Sequence, residues 1–95
     1  MVEPTFGQLG NVRVVILERK SRRTGFGFKI QGELLKEMEI VVSQVDEWSI
    51  AERAGLQKGD RILRLNDVCC ERAIKLDVVN LVKSANVVKL WLISA

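Results

Sequence analysis

An α+β fold, mainly β, is predicted: six short strands curled into a small barrel, with two helices covering its ends, in the order β-β-β-α-β-β-α-β. Three observations lead there. β-Branched and apolar runs recur in short pieces separated by turn residues, the pattern of strands rather than of long helices. Helical signals occur at two places, a capping sequence at Ser49 and a helical apolar spacing from Ile74 onward. The chain is 95 residues long, enough for one domain around one core and too little for a large sandwich.

Residues 1–10 hold the only proline, Pro4, with Gly7 and Gly10, and read as a leader; the folded unit is set at residues 11–95. Residues 12–17 are β-branched and apolar and form the first strand. Arg19, Lys20, Arg22 and Arg23 follow in a basic, solvated loop. In the second strand, Phe26, Phe28 and Ile30 share one face because side chains alternate. Gly32 and Glu33 mark the turn out of it, and residues 34–37 fit either a loop or a helical turn. Residues 38–45 make the third strand. Ser49 and Glu52 have capping-box spacing, Gly55 sits where a left-handed stop is wanted, and Leu56 returns to the core. Lys58-Gly59-Asp60 is a turn. The strand at residues 61–65 alternates imperfectly, which predicts burial on more than one side. Asn66-Asp67 turns into a short strand at Val68-Cys69. Ile74, Val78, Leu81, Val82 and Ala85 define a helix over residues 75–85, with Asn86 as its stop, and residues 87–93 close the fold.

Composition excludes several function classes. There is no histidine, so the commonest metal ligand and the commonest general base are both missing. The two cysteines, Cys69 and Cys70, are adjacent; they neither staple a fold nor fill a four-ligand zinc site. A cysteine nucleophile would lack a base, and Asp60 and Asn66 read as turn residues. No metal, cofactor or catalytic residue is expected, and the chain is not an enzyme. Free adjacent thiols favour a reducing, cytoplasmic setting. No apolar run reaches the roughly 20 residues that span a bilayer, and the N-terminus lacks the pattern of a signal peptide. The net charge of +3 and five aromatic residues without a tyrosine argue against nucleic acid.

The stretch Thr24-Gly25-Phe26-Gly27-Phe28 pairs backbone freedom with an apolar face. Two glycines one residue apart punctuate a hairpin, or bring amide donors up to an anion beside a hydrophobic pocket. Three blocks decide between these. Gly25-Phe26-Gly27-Phe28 resembles the Gly-Leu-Gly-Phe carboxylate-binding loop of PDZ domains. Ala51-Glu52-Arg53-Ala54-Gly55-Leu56, followed by Gly59-Asp60-Arg61-Ile62-Leu63 and Asn66, resembles that family's most recognisable segment. Val82-Lys83-Ser84-Ala85 is similar to the end of its second helix. Together they cover roughly residues 11–93 in the right order and spacing.

The resemblance implies a partly open six-stranded antiparallel barrel, capped by two helices, that takes up C-terminal tails of other proteins. The tail adds as a strand between the second strand and the second helix. By position, Gly25, Phe26, Gly27 and Phe28 hold the terminal carboxylate, and Phe26, Phe28, Ile30, Val79 and Val82 line the pocket for the last side chain. A familiar subclass has histidine at the first groove-facing position of the second helix; here it is Lys75, which points to an acidic or hydroxyl residue third from the tail's end. Lys75 as a plain solvated lysine is the alternative. Ile50 and Glu33 also depart from the usual pattern, away from the groove. The Arg19, Lys20, Arg22 and Arg23 loop is an accessory contact for the carboxylate or for an anionic membrane surface. The implied setting is an intracellular scaffold or signalling protein, placed at the inner face of the plasma membrane through its partners, with the module itself a monomer. A regulatory domain of a multidomain enzyme is the other reading, since residues 76–83 resemble a stretch in the PDZ domain of a Rho exchange factor. Binding of internal sequences is a third.

Overall fold

The computed structural model describes residues 12–94, so the expected leader lies outside it. β1 (Val12–Glu18) alternates buried Val15 and Leu17 with exposed Val14 and Ile16, the signature of a strand with one face on the core. β2 (Phe28–Gln31), β4 (Ile40–Val45), β5 (Arg61–Leu65) and β8 (Val87–Ile93) join it in an antiparallel sheet of order β1-β8-β5-β4-β2, and β6 (Val68–Cys69) pairs with β5. The expected six-stranded antiparallel sheet and two helices are therefore present. α1 (Ile50–Ala54) and α2 (Lys75–Ser84) pack on the core through Ala51 and Val78.

Two further strands were not expected. β3 (Glu37–Met38) and β7 (Ala73–Ile74) form a separate two-stranded ladder. The third strand of the sequence reading is thus broken at Glu39; of the segment before it, residues 34–36 take the loop alternative and Glu37 begins β3. Two-residue strands hold too few positions to display a period.

α1 is capped by Ser49 as its sequence implies, with the glutamate's return bond made one residue before the cap. Ser49 Oγ accepts from Glu52 N–H at 3.1 Å, and Glu52 Oε1 accepts in return from Trp48 N–H at 2.8 Å. Gly55 takes φ 98° and closes the helix, and Leu56 is buried behind it. In β5 a register shift falls between Ile62 and Arg64, and Leu63 is buried outside the core cluster that holds Ile62 and Leu65, so the strand is covered on more than one side and its alternation is imperfect. Asn86 is not the stop expected for α2. The helix ends at Ser84, and Ala85 leaves it extended at φ −110° and ψ 142°. The Arg19 guanidinium donates to the carbonyls of Val82, Lys83 and Ala85. With the last carbonyls satisfied from outside, no left-handed turn is needed.

Among the described residues no helix is long and apolar enough to cross a membrane, and no cluster of potential metal ligands occurs. Cys69 is exposed and Cys70 buried. Burial pushes the Cys70 thiol above its ordinary 9.0 to about 11, with Cys69 adding to the rise. The folded chain therefore holds this proton more tightly than the unfolded one. Stability is complete below the unfolded value and falls as pH rises through the folded one. Between about pH 9 and pH 11 the loss should reach about 2–3 kcal/mol. Urea unfolding across this range should show a steeper decline than the same series on Cys70→Ala, which keeps the lysine titrations and lacks the thiol. Equal slopes would remove Cys70 as the cause.

Candidate groove between β2 and α2

β2 is an end strand of the main sheet, paired on its inner side with β4, and α2 runs along its free side. Phe28 stands opposite Val45, and Asp46 N–H donates to Gly27 O at 2.8 Å. That geometry makes Phe28–Val45 a pair that exchanges no hydrogen bonds, so the N–H and C=O of Phe28 point away from β4. One residue earlier, Phe26 O accepts from Ala51 N–H at 2.9 Å. A trans peptide plane sets each N–H opposite the preceding carbonyl. With the Phe26 and Gly27 carbonyls turned into the body, the Gly27 and Phe28 N–H groups are turned out of it. Among the described residues no acceptor takes the N–H of Phe26 or Gly27. This is an oriented set of donors of the kind that receives an anion.

Gly27 reaches this conformation at φ 92°, and its missing side chain leaves room for Ser49. The N-terminal end of α1 thus fixes the loop through Ala51 N–H on one side and the Ser49 contact on the other.

Beside the donors lies a cavity of about 420 Å³ lined by Phe28, Lys29, Ile30, Ser43, Lys75, Val79, Val82 and Lys83. Phe28, Ile30, Val79, Val82 and Lys75 are thus brought together. Phe26 is not on this surface. Its side chain is 3% exposed and lies under the Arg19 guanidinium, which stands 4.1 Å from the ring centroid. The alternation that grouped Phe26 with Phe28 and Ile30 fails because β2 begins only at Phe28. Lys29, Ser43 and Lys83 were missed by sequence reading. Lys29 lies on the other side of the strand by parity, yet borders the cavity because β2 is an edge.

Arg19 is also placed differently from expectation. Besides the α2 carbonyls it donates to Thr24 O at 2.9 Å, so it fastens the loop before Gly25 to the end of α2. A cation near a helix C-terminus is favourable, but the 63 residues between Arg19 and Val82 hide the relation in sequence. Lys20, Arg22 and Arg23 remain exposed. At the other end, Glu33 O and Leu34 O accept from Lys75 N–H and Leu76 N–H at 3.0 and 3.3 Å. They substitute for the side-chain cap that Ile74 does not provide.

The polar rim is cationic: Lys29, Lys75 and Lys83 line the cavity, and no carboxylate does. The arrangement offers outward amides at one end, an apolar floor, an open strand edge, and ammonium groups along both walls. It offers no nucleophile with a base.

The PDZ domain family model matches residues 14–93. Human whirlin is 38% identical over 86 residues, covering 90% of this chain and 10% of whirlin. Human Rho guanine nucleotide exchange factor 11 is 32% identical over 83 residues, covering 87% of this chain and 5% of the exchange factor. The chain thus spans about a tenth or less of these relatives. Among solved structures, the PDZ domain of a choanoflagellate SHANK1 bound to a GIRK3 peptide superposes with a TM-score of 0.74 at 35% identity, covering 86% of this chain and 90% of that one. The family match over nearly all the described residues, on a groove of this construction, places the chain in the PDZ domain family of peptide-binding interaction modules.

Proposed function

We propose that the groove takes the free C-terminal tail of another protein as an antiparallel strand on β2, without catalysis. The observation that carries this is the backbone between Phe26 and Phe28. Two successive carbonyls are bonded into the body, leaving outward amides at the mouth of an apolar groove. In this reading the tail's carboxylate sits on the N–H groups of Phe26, Gly27 and Phe28, where Gly25 and Gly27 allow close approach. Its last side chain lies among Phe28, Ile30, Val79 and Val82, a burial worth about 1.5–3 kcal/mol. Phe26 supports this surface from below. The structural neighbour bound to a GIRK3 peptide supports peptide capture by this fold.

Lys75 selects an acidic or hydroxyl residue third from the end, and Lys29 and Lys83 favour acidic tails more generally. The host is an intracellular scaffold or signalling protein, brought to the membrane by its partners. The likeness to an exchange factor supports the alternative of a regulatory domain beside a catalytic one, with the same groove at work.

Amidating a tail peptide tests the carboxylate. Charge-assisted hydrogen bonds contribute about 1.5–3 kcal/mol each, so titration calorimetry should show affinity lower by about 10- to 100-fold. Equal affinity for acid and amide would overturn the terminal-carboxylate reading in favour of internal sequences. With the carboxylate retained, Lys75→Glu should reverse a preference for Asp over Lys at the third-last position.

A further inference from the structure

The main sheet ends at β2 on one side and at β1 on the other, and among the described residues nothing pairs with the outer side of β1. The register fixes what that side displays. Arg19 N–H donates to Asn86 O, continuing the register in which Leu17 faces Val88, Val15 faces Leu90 and Arg13 faces Leu92. Hydrogen-bonded and non-bonded pairs alternate along such a ladder. The odd-numbered residues therefore direct their N–H and C=O to β8, and Val12, Val14, Ile16 and Glu18 direct theirs to the open edge.

The same residues carry the exposed side chains. Val14 is 49% and Ile16 50% exposed; on β8 Trp91 stands opposite Val14 and Lys89 opposite Ile16, with the Lys89 ammonium and the Arg64 guanidinium over the Trp91 ring. Soluble proteins protect such edges with proline, outward lysine, bulges or short strands. β1 has none of these: it pairs over seven residues without a register shift. Its one cation, Arg13, is turned to Asp60. β2, in contrast, is four residues long and bulged.

We propose that β1 is a self-association edge, where a second copy of this chain adds as an antiparallel strand to form one continuous sheet across two domains. A two-fold axis at Val15 sets Val14 opposite Ile16 of the other copy, and Ile16 opposite its Val14. Even-numbered residues then meet even-numbered ones, so outward amides find outward carbonyls and the four apolar side chains share one face. A slip by one residue sets outward groups against inward ones. Glu18 falls opposite Val12 of the other copy, so no like charges meet across the pairing. This self-complementarity favours a second copy over an unrelated strand, and it departs from the monomer expected from sequence. It does not depend on tail binding: the β2 groove stays at the far side of each copy.

Sedimentation equilibrium of the full chain tests this. The weight-average mass should rise from 10.7 kDa toward twice that value as concentration rises. Ile16→Lys and Val14→Lys, both at exposed positions, should stay monomeric with unchanged thermal unfolding. Leu35→Lys, at a 73% exposed apolar position elsewhere, should still associate. A wild-type chain that stays monomeric overturns the proposal, including the case in which its own residues 1–11 cover β1. Association lost with Leu35→Lys but kept with Ile16→Lys overturns it in favour of another face.

Discussion

Gly27→Ala is expected to cost a large share of the domain's stability and its peptide binding together. Gly27 holds φ 92°, and a Cβ there would meet Ser49 Cβ at 2.1 Å and Ser49 Oγ at 2.7 Å. Ser49 has nowhere to go. Its hydroxyl accepts from Glu52 N–H and donates to Asp46 O at 2.7 Å, so displacing it uncaps α1. The left-handed backbone costs a side chain about 1–2 kcal/mol, and overpacking adds about 1–3 kcal/mol. The combined loss of roughly 2–5 kcal/mol is large beside the 5–15 kcal/mol that a typical domain holds. Urea denaturation measures it directly. In any fraction that stays folded, the shifted loop should no longer align its amides, so tail affinity falls as well. Adding Ser49→Gly should recover part of the packing term and none of the backbone strain. Gly25 provides the contrast. Its added Cβ would find only Gly27 N, at 3.9 Å, so Gly25→Ala should stay within about 0.5 kcal/mol of wild type. Equal stability of the two variants would refute the steric account of the motif.

This difference between Gly25 and Gly27 marks where sequence reading stops. The spacing of the two glycines marked the loop, and the alternation of Phe28 and Ile30 marked one face of a strand. The spacing of Ile74, Val78, Leu81, Val82 and Ala85 marked a helix and its core face. Those are local periodicities, and local periodicity is what a chain displays directly. That Lys75, Val79 and Val82 face the second strand came from the resemblance to PDZ domains, not from spacing. Which glycine is irreplaceable depends on Ser49 approaching from another element. The places of Phe26 and Arg19 were hidden for the same reason: the ring is covered by a guanidinium that also closes a helix far away in sequence, and no spacing encodes such a contact. β3 and β7 were illegible because each is two residues long and, unlike β6 behind Asn66-Asp67, has no turn sequence directly before it. Lys29 and Lys83 could have been suspected from the edge position of β2 and from the last turn of α2. Their shared cavity required the packing of one element on the other.

The second large effect is expected at Asp60, which a local reading treats as a turn residue. Its side chain is 1% exposed. Oδ1 accepts from Arg13 Nη1 at 3.0 Å, and Oδ2 from Arg13 Nη2 and Gln57 N–H, both at 2.9 Å. Arg13 also donates to Gly55 O and to Ser94 Oγ. One ion pair thus ties β1 to the end of α1, to the turn before β5 and to the end of β8. The two partners are unequal. Arg13 keeps 32% of its side chain exposed, so water can solvate a guanidinium stripped of its carboxylate. Asp60 has no such relief. Removing one partner of a buried pair costs about 3–5 kcal/mol. Arg13→Met, which strands the carboxylate, should fall in that range, and Asp60→Ala should fall near or below its lower end. The hydrogen bond to Asp60 raises the Arg13 guanidinium above its ordinary value. A raised cation stabilises the fold below its unfolded value and releases that stability only as pH climbs through the folded one. The pair therefore adds no pH dependence from Arg13 at neutrality. The amides at Phe26–Phe28 are held by Ala51 and Asp46 rather than by this pair, so the folded fraction of either variant should keep its tail affinity. Arg13→Met losing stability and affinity in parallel would mean that the ion pair shapes the groove. A larger loss for Asp60→Ala than for Arg13→Met would mean that the stranded guanidinium, and not the stranded carboxylate, sets the cost.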